Sequence, residues 1–238
     1  MQISPSPTRV RGSHAAALTL CLIVTGCSTV APTVPPDVSG TGIASKVRFA
    51  GDMYQSQGDG YFEVGDYTVS KIRRSAFQAI ETRIGLYSET NSTNSFQFQI
   101  RGTRRAWTGR CNRGAWSQMA SVDRVGVGLG NSGLFCELSS GEQRATVQLS
   151  DISGKVRGVV QIGNTPYSLS QYFHDDPEPG KFYVPGPLGL RIDRGGQNSG
   201  ALALARPGTF WINATLAPDH KDALSSVLAA LLIDARRN

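Results

Sequence analysis

A chain of 238 residues with 39% hydrophobic and 18% charged side chains carries enough apolar material for a real core, so one domain of about 200 residues plus an export segment is expected rather than a disordered chain. Its 27 glycines favour a β protein with many turns and exclude a long helical bundle. Two of the 24 basic residues, Arg9 and Arg11, lie in the export segment, which leaves 22 against 18 acidic side chains, a balance of +4 that leans toward anionic surfaces without indicating a nucleic-acid binder.

Residues 1–26 contain no acid, and Arg9 and Arg11 precede an apolar stretch over 15–25. That stretch has the length of a secretory signal core and falls short of the roughly 20 residues that cross a bilayer. It ends in Val24-Thr25-Gly26-Cys27, a motif that resembles the lipobox of bacterial lipoproteins. The resemblance implies diacylglycerol on the Cys27 sulfur, cleavage after Gly26 and acylation of the new amine, palmitate included. The residue types suit that chemistry, because small side chains let an extended backbone enter a peptidase cleft and a thiol is nucleophilic enough to become a thioether. One acyl chain holds reversibly and two or more hold stably, so the mature chain is expected to stay on a membrane. Ser28, where retained inner-membrane lipoproteins carry Asp, implies the outer membrane, facing the periplasm. Residues 27–45 hold three prolines, Pro32, Pro35 and Pro36, among small polar residues, which reads as an extended tether. The folded domain is expected over 46–238.

Cys21 leaves with the signal and Cys27 takes lipid, so Cys111 and Cys136 remain, an even pair that reads as a disulfide in an exported domain. A metal pair or a reactive thiol is the alternative, but neither CxxC spacing nor a nearby histidine accompanies them.

Period-2 alternation predicts strands along most of the domain. The clearest is Phe96, Phe98 and Ile100 alternating with Gln97, Gln99 and Arg101; others are expected over 47–54, 61–72, 134–138, 145–149, 156–162, 167–173, 188–192, 202–204 and 210–216. Gly58-Asp59-Gly60, Ser140-Gly141, Gly163-Asn164, Gly195-Gly196 and Pro207-Gly208 supply turns between them. Residues 76–87 fit a helix about as well as a strand. The fold class is therefore mainly β, an antiparallel barrel or sandwich of roughly a dozen strands. One helix is expected at the end: Pro218 suits a first turn, Asp219 and Asp222 suit the positive end of the dipole, and Arg236 and Arg237 the negative end. Leu224, Val227, Leu228 and Leu231 form an apolar stripe, and Ala223, Ala229, Ala230, Leu232 and Ile233 leave almost no polar face, so the helix over 222–233 belongs in a core. A strand-rich domain ending in a Trp-bearing hairpin over 201–216 and then this apolar helix is similar to the tubby C-terminal-like fold, a β barrel around a central helix. That resemblance implies a binding or scaffold module; no ligand-binding residue of that family is matched here.

Several constellations carry possible chemistry. Gly128, Gly130 and Gly133 spell GxGxxG, but residues 134–138 read as strand rather than helix, so a hairpin tip is expected instead of a dinucleotide loop. His174-Asp175-Asp176-Pro177-Glu178 gathers possible metal ligands without calcium-loop spacing and reads as a solvated acidic turn. His220 reads as a first-turn surface residue, and no Gly-x-Ser-x-Gly elbow occurs. The strongest charge feature is Arg101, Arg104, Arg105, Trp107, Arg110 and Arg113, with Trp116 beyond, a candidate patch for an anionic ligand or else a solvated strand face. In an envelope its partners would be anionic lipid, lipopolysaccharide or protein, not nucleic acid. The sequence thus reads as a lipid-anchored, periplasm-facing binding or structural module, without metal or cofactor. A hydrolase or metal-dependent enzyme using His174, or an accessory subunit of an envelope complex, are the rival readings.

Overall fold

The computed structural model describes residues 40, 42–49, 60–84, 87–122, 125–152, 154–172 and 188–236, all inside the compact unit Pro32–Asn238. The signal, Cys27, residues 28–39 and 41 of the tether, the 50–54 end of the first strand candidate and the His174 loop lie outside the described residues. In chain order come β1 (Gly42–Phe49), β2 (Gly60–Val64), β3 (Tyr67–Arg74), β4 (Gln78–Ile84), β5 (Tyr87–Arg101), β6 (Ala106–Val122), β7 (Val125–Ser140), β8 (Gln143–Ile152), β9 (Lys155–Ile162) and β10 (Thr165–Tyr172). After them stand β11 (Gly189–Arg194), β12 (Gln197–Ala203), β13 (Thr209–Asn213) and the helix α1 (Pro218–Ala235).

Neighbouring strands are antiparallel, and β1 joins β13 through Gly42↔Asn213 to Lys46↔Thr209. Closure comes from β3 against β5, Thr68↔Arg101 to Arg74↔Phe96. Twelve strands therefore form a closed barrel with β4 outside it, which decides between barrel and sandwich. Closure leaves the barrel no free edge to protect.

Alternation does what the pattern asks. On β5 Phe96, Phe98 and Ile100 are buried and Gln97, Gln99 and Arg101 are exposed. Ala145, Val147 and Leu149 of β8 and Tyr167 and Leu169 of β10 line the same interior. Gly195 and Gly196 have φ of 57° and 80°, the paired left-handed geometry of a two-residue hairpin turn that closes β11 on β12.

The interior is filled by α1. Every residue from Asp222 to Asp234 is buried, and Leu224, Val227, Leu228, Leu232 and Ile233 are wholly so. A helix apolar around its circumference finds wall on every side, from β6 through β9 and from β12 and β13. No helix among the described residues is long and apolar enough to cross a membrane.

Five expectations change. The 61–72 segment is two strands, because Gly65 at φ 56° turns the chain between β2 and β3. Residues 76–87 contain strand β4, not a helix, and all seven of its residues are exposed. The basic run left open between a ligand patch and a strand face lies partly on strand β6, whose inward positions Gly109 and Arg113 break the apolar alternation. Gly128, Gly130 and Gly133 lie within β7, opposite Met119, Ser117 and Gly114 of β6, so they form no hairpin tip. Finally, β1 starts at Gly42 rather than at Val47, since its pairing with β13 begins there.

Beyond the last β3 pair on β5 the sheet continues as an arm. There β4 takes over the same side of β5, pairing Gln78–Ile84 with residues 93–87. The 125–130 part of β7 lies ahead of its first β8 partner, Asn131.

Candidate functional site

Strand alternation disperses the six residues read as one basic patch. Thr108, Arg110 and Asn112 of β6 are exposed, while Trp107 and Cys111 are 1% exposed and face the interior. Arg113 also turns inward, where its Nη1 donates to Asp234 near the end of α1 and its Nη2 to Ser132 Oγ at 2.5 Å. Trp107 and Arg113 are therefore barrel-interior groups, not surface contacts. Trp116 sits in the arm, where it and Asn91 donate to Glu89; Asn91 Nδ2 is 3.0 Å away, and these bonds hold that carboxyl below its usual range.

Arg104 and Arg105 belong to the β5–β6 turn, whose backbone has another task. Asp222, 1% exposed on α1, accepts from Thr103 N at 3.3 Å, Thr103 Oγ1 at 3.1 Å, Arg104 N at 3.1 Å and Arg105 N at 3.2 Å. A Cβ on Gly102 would stand 2.7 Å from the Asp222 Cγ, so glycine is required for this close approach. Beside this nest, burial and the Asp222 charge push the Tyr67 hydroxyl up to about 12. The Arg105 side chain reaches Asp219 at 3.6 Å, both about half exposed at 44% and 40%, a pair worth little on its own.

Of the six, Arg101, Arg104, Arg105 and Arg110 stay exposed, but Arg101 and the Arg110 partner Gln97 stand four positions apart on β5, about 13 Å along the strand. The structure instead joins Arg110 to two residues outside the run, Lys71 and Arg73 of β3. The cause is a β-bulge: register shifts between Ser70↔Gln99 and Arg73↔Gln97, so Lys71 and Ile72 together oppose one position. Lys71 takes φ 52°, Ile72 turns inward at 3% exposure, and Lys71 and Arg73 emerge on the outer wall. Without the extra residue the phase would drive Lys71 and Arg73 into the core. Lys71, Arg73, Gln97, Gln99, Thr108 and Arg110 then line a groove of about 320 Å³ across β3, β5 and β6. Two guanidinium forks, an ammonium and side-chain amides in one groove suit a phosphate or carboxylate ligand. Glu137, opposite Arg110 on β7, borders it with the other sign.

A second concavity of about 680 Å³ opens at the start of α1, lined by Trp107, Glu142, Arg144, Asn164, Asp219 and His220 among others. Trp107 Nε1 has no hydrogen-bond partner among the described residues. His220 is half-buried beside Asp219 in the first turn. Among the described residues no group of three His, Cys, Asp or Glu could hold a metal ion.

Cys111 and Cys136 are directly opposite across β6 and β7, their Cα atoms 4.1 Å apart, and bonded. Both are buried, at 1% and 0% exposure, so the bridge is part of the core. Joining residues 25 apart, it stabilises the fold by roughly 3 to 4 kcal/mol in the chain-entropy model. The glycines of the GxGxxG run meet no helix N-terminus, since β7 continues to Ser140, so they cannot cradle a dinucleotide phosphate. No family model, no curated protein and no solved structure matches this chain.

Proposed function

We propose that the chain is a lipoprotein anchored through Cys27 to the outer membrane, facing the periplasm, and that its barrel is a non-enzymatic binding or structural module for phosphate-bearing envelope lipids. The observation that carries the reading is the filled interior: α1 occupies the space where a small barrel would hold a ligand, which leaves the outer wall and rim for recognition. On that wall the bulge of β3 gathers Lys71, Arg73 and Arg110 in one groove. Twelve closed strands around a C-terminal apolar helix also favour the tubby-like resemblance, and with it a binding role.

The anchor and the groove are tested separately. Cys27→Ala should abolish palmitate labelling and release the protein from membranes. A substituted protein that still pelleted with membranes in high salt would refute the lipobox assignment.

The released Cys27→Ala protein should then co-sediment with vesicles containing phosphatidylglycerol and not with pure phosphatidylcholine. A basic side chain near an anionic surface is worth about 1 kcal/mol, so Lys71→Glu with Arg110→Glu should weaken that binding by at least about 30-fold. Unchanged binding would remove the groove from the function.

A further inference from the structure

Among the described residues strand β4 is bonded on one side alone. Its seven residues pair in unbroken register with β5, and no other strand pairs with it among the described residues. All seven are exposed, with Ile80 at 71% and Ile84 at 73%. A free edge offers unpaired N–H and C=O groups to any passing strand, and proteins blunt such edges with proline, lysine, bulges or very short strands. The β4 sequence Gln78-Ala79-Ile80-Glu81-Thr82-Arg83-Ile84 has no proline, lysine or bulge, and its charged side chains, which can also guard an edge, are one of each sign and pair with each other, so they do not repel a second copy.

The edge is instead self-complementary. Ile80, Thr82 and Ile84 share one face, and Glu81 and Arg83 share the other, where they pair within the strand at 2.7 Å. We propose that two copies of this chain join β4 to β4, antiparallel, about a two-fold axis through Thr82. In that register Ile80 of each copy faces Ile84 of the other, Glu81 faces Arg83 twice, and the two Thr82 residues meet on the axis.

Two-fold symmetry allows only registers centred on a residue, and the neighbouring ones are worse. Centring on Glu81 sets two carboxylates face to face and puts Ile80 against threonine. Centring on Arg83 opposes two arginines, and centring on Ile80 sets Glu81 against Ala79. Directly opposed unlike charges and β-branched pairs stabilise a ladder, whereas opposed like charges disfavour it. The same patch serves both copies and consumes both β4 edges, so the contact closes at two. Each arm would contribute four strands, β4 to β7, to one continuous sheet.

The test uses the full chain in its membrane, carrying Thr82→Cys under mild oxidation. A cysteine on the axis meets its own copy and should give a disulfide-linked dimer on a non-reducing gel, absent in the parent protein. Gln78→Cys, four residues off the axis, should not cross-link. Adding Arg83→Glu to Thr82→Cys creates two opposed carboxylate pairs and should lower cross-linking about tenfold. Exchanging the charges, Glu81→Arg with Arg83→Glu, restores unlike pairs and should restore the dimer. Because every altered residue is exposed, folding is not at stake. No dimer from Thr82→Cys, equal cross-linking from Gln78→Cys, or failure of the exchanged pair to rescue would each overturn the proposal.

Discussion

Leu228→Ala should destabilise the barrel by about 2 to 5 kcal/mol, a large part of the stability of a typical domain, because it removes buried methylenes and leaves a cavity the wall cannot fill. Leu228 is 0% exposed at the middle of α1. A Cβ on Gly200 of β12 would lie 3.8 Å from Leu228 Cδ1, so the wall already stands at contact distance. A closed ladder of hydrogen bonds resists the inward movement that would relieve the void. Leu231, 1% exposed, should behave alike, whereas Ile80→Ala on the exposed β4 should cost less than about 0.5 kcal/mol. Denaturant unfolding of the Cys27→Ala protein measures all three. A loss under about 1 kcal/mol for Leu228→Ala would mean that α1 does not support the barrel.

How much of this was legible in the sequence depends on whether local pattern and tertiary role coincide. For α1 they coincide: the absence of a polar face from Ala223 to Ile233 has few solutions in a globular domain other than enclosure. They coincide again where strands alternate cleanly, as in β5 and β8, and where Gly195-Gly196 demands a hairpin. The pattern fails where an inward position carries a residue chosen for its neighbour. Inward position 109 takes glycine because a Cβ there would strike the Phe98 ring, and inward position 113 takes arginine because α1 brings Asp234 to it. Neither reason exists until the helix and the wall are in place, so the sequence leaves open whether this run is a ligand patch or a strand face.

The basic groove was illegible for a related reason. Lys71 and Arg73 look like alternate residues on one face with Val69, and only the bulge at Ser70/Arg73 reverses the phase, burying Ile72 and exposing both cations. A bulge leaves no reliable mark in the sequence unless a glycine occupies it, and here the left-handed residue is a lysine. Five arginines and a tryptophan close together in sequence were thus a poorer guide to a surface than three cations on β3 and β6 that the ladder brings together. Glu81 and Arg83 show the converse. Two residues apart on an exposed strand, they read as ordinary solvated charges, and they gain meaning only once β4 is seen to have a free edge.

The ends of α1 show how the barrel holds a helix it otherwise grips by packing alone. At the first turns Asp222 is nested in backbone N–H groups; at the last, Arg74 donates to Ile233 O at 2.8 Å and Arg236 to Leu204 O at 2.9 Å. Between them lies the Arg113–Asp234 pair, with side chains only 11% and 8% exposed. Asp234 stands at the carbonyl end of the helix, where a carboxylate is disfavoured, and the guanidinium that the inward phase of β6 supplies offsets that. Replacing Arg113 with methionine takes this guanidinium away from a buried carboxylate and should destabilise the fold by up to about 3 kcal/mol, although methionine fills much of the arginine volume. Arg113→Met with Asp234→Leu removes both charges and should return to within about 1 kcal/mol of the parent protein, or exceed it, since two buried ions exchange desolvation for packing. Equilibrium unfolding of the two single variants and the double closes the cycle. Additive losses would show that the pair is not coupled and that packing alone seats the helix.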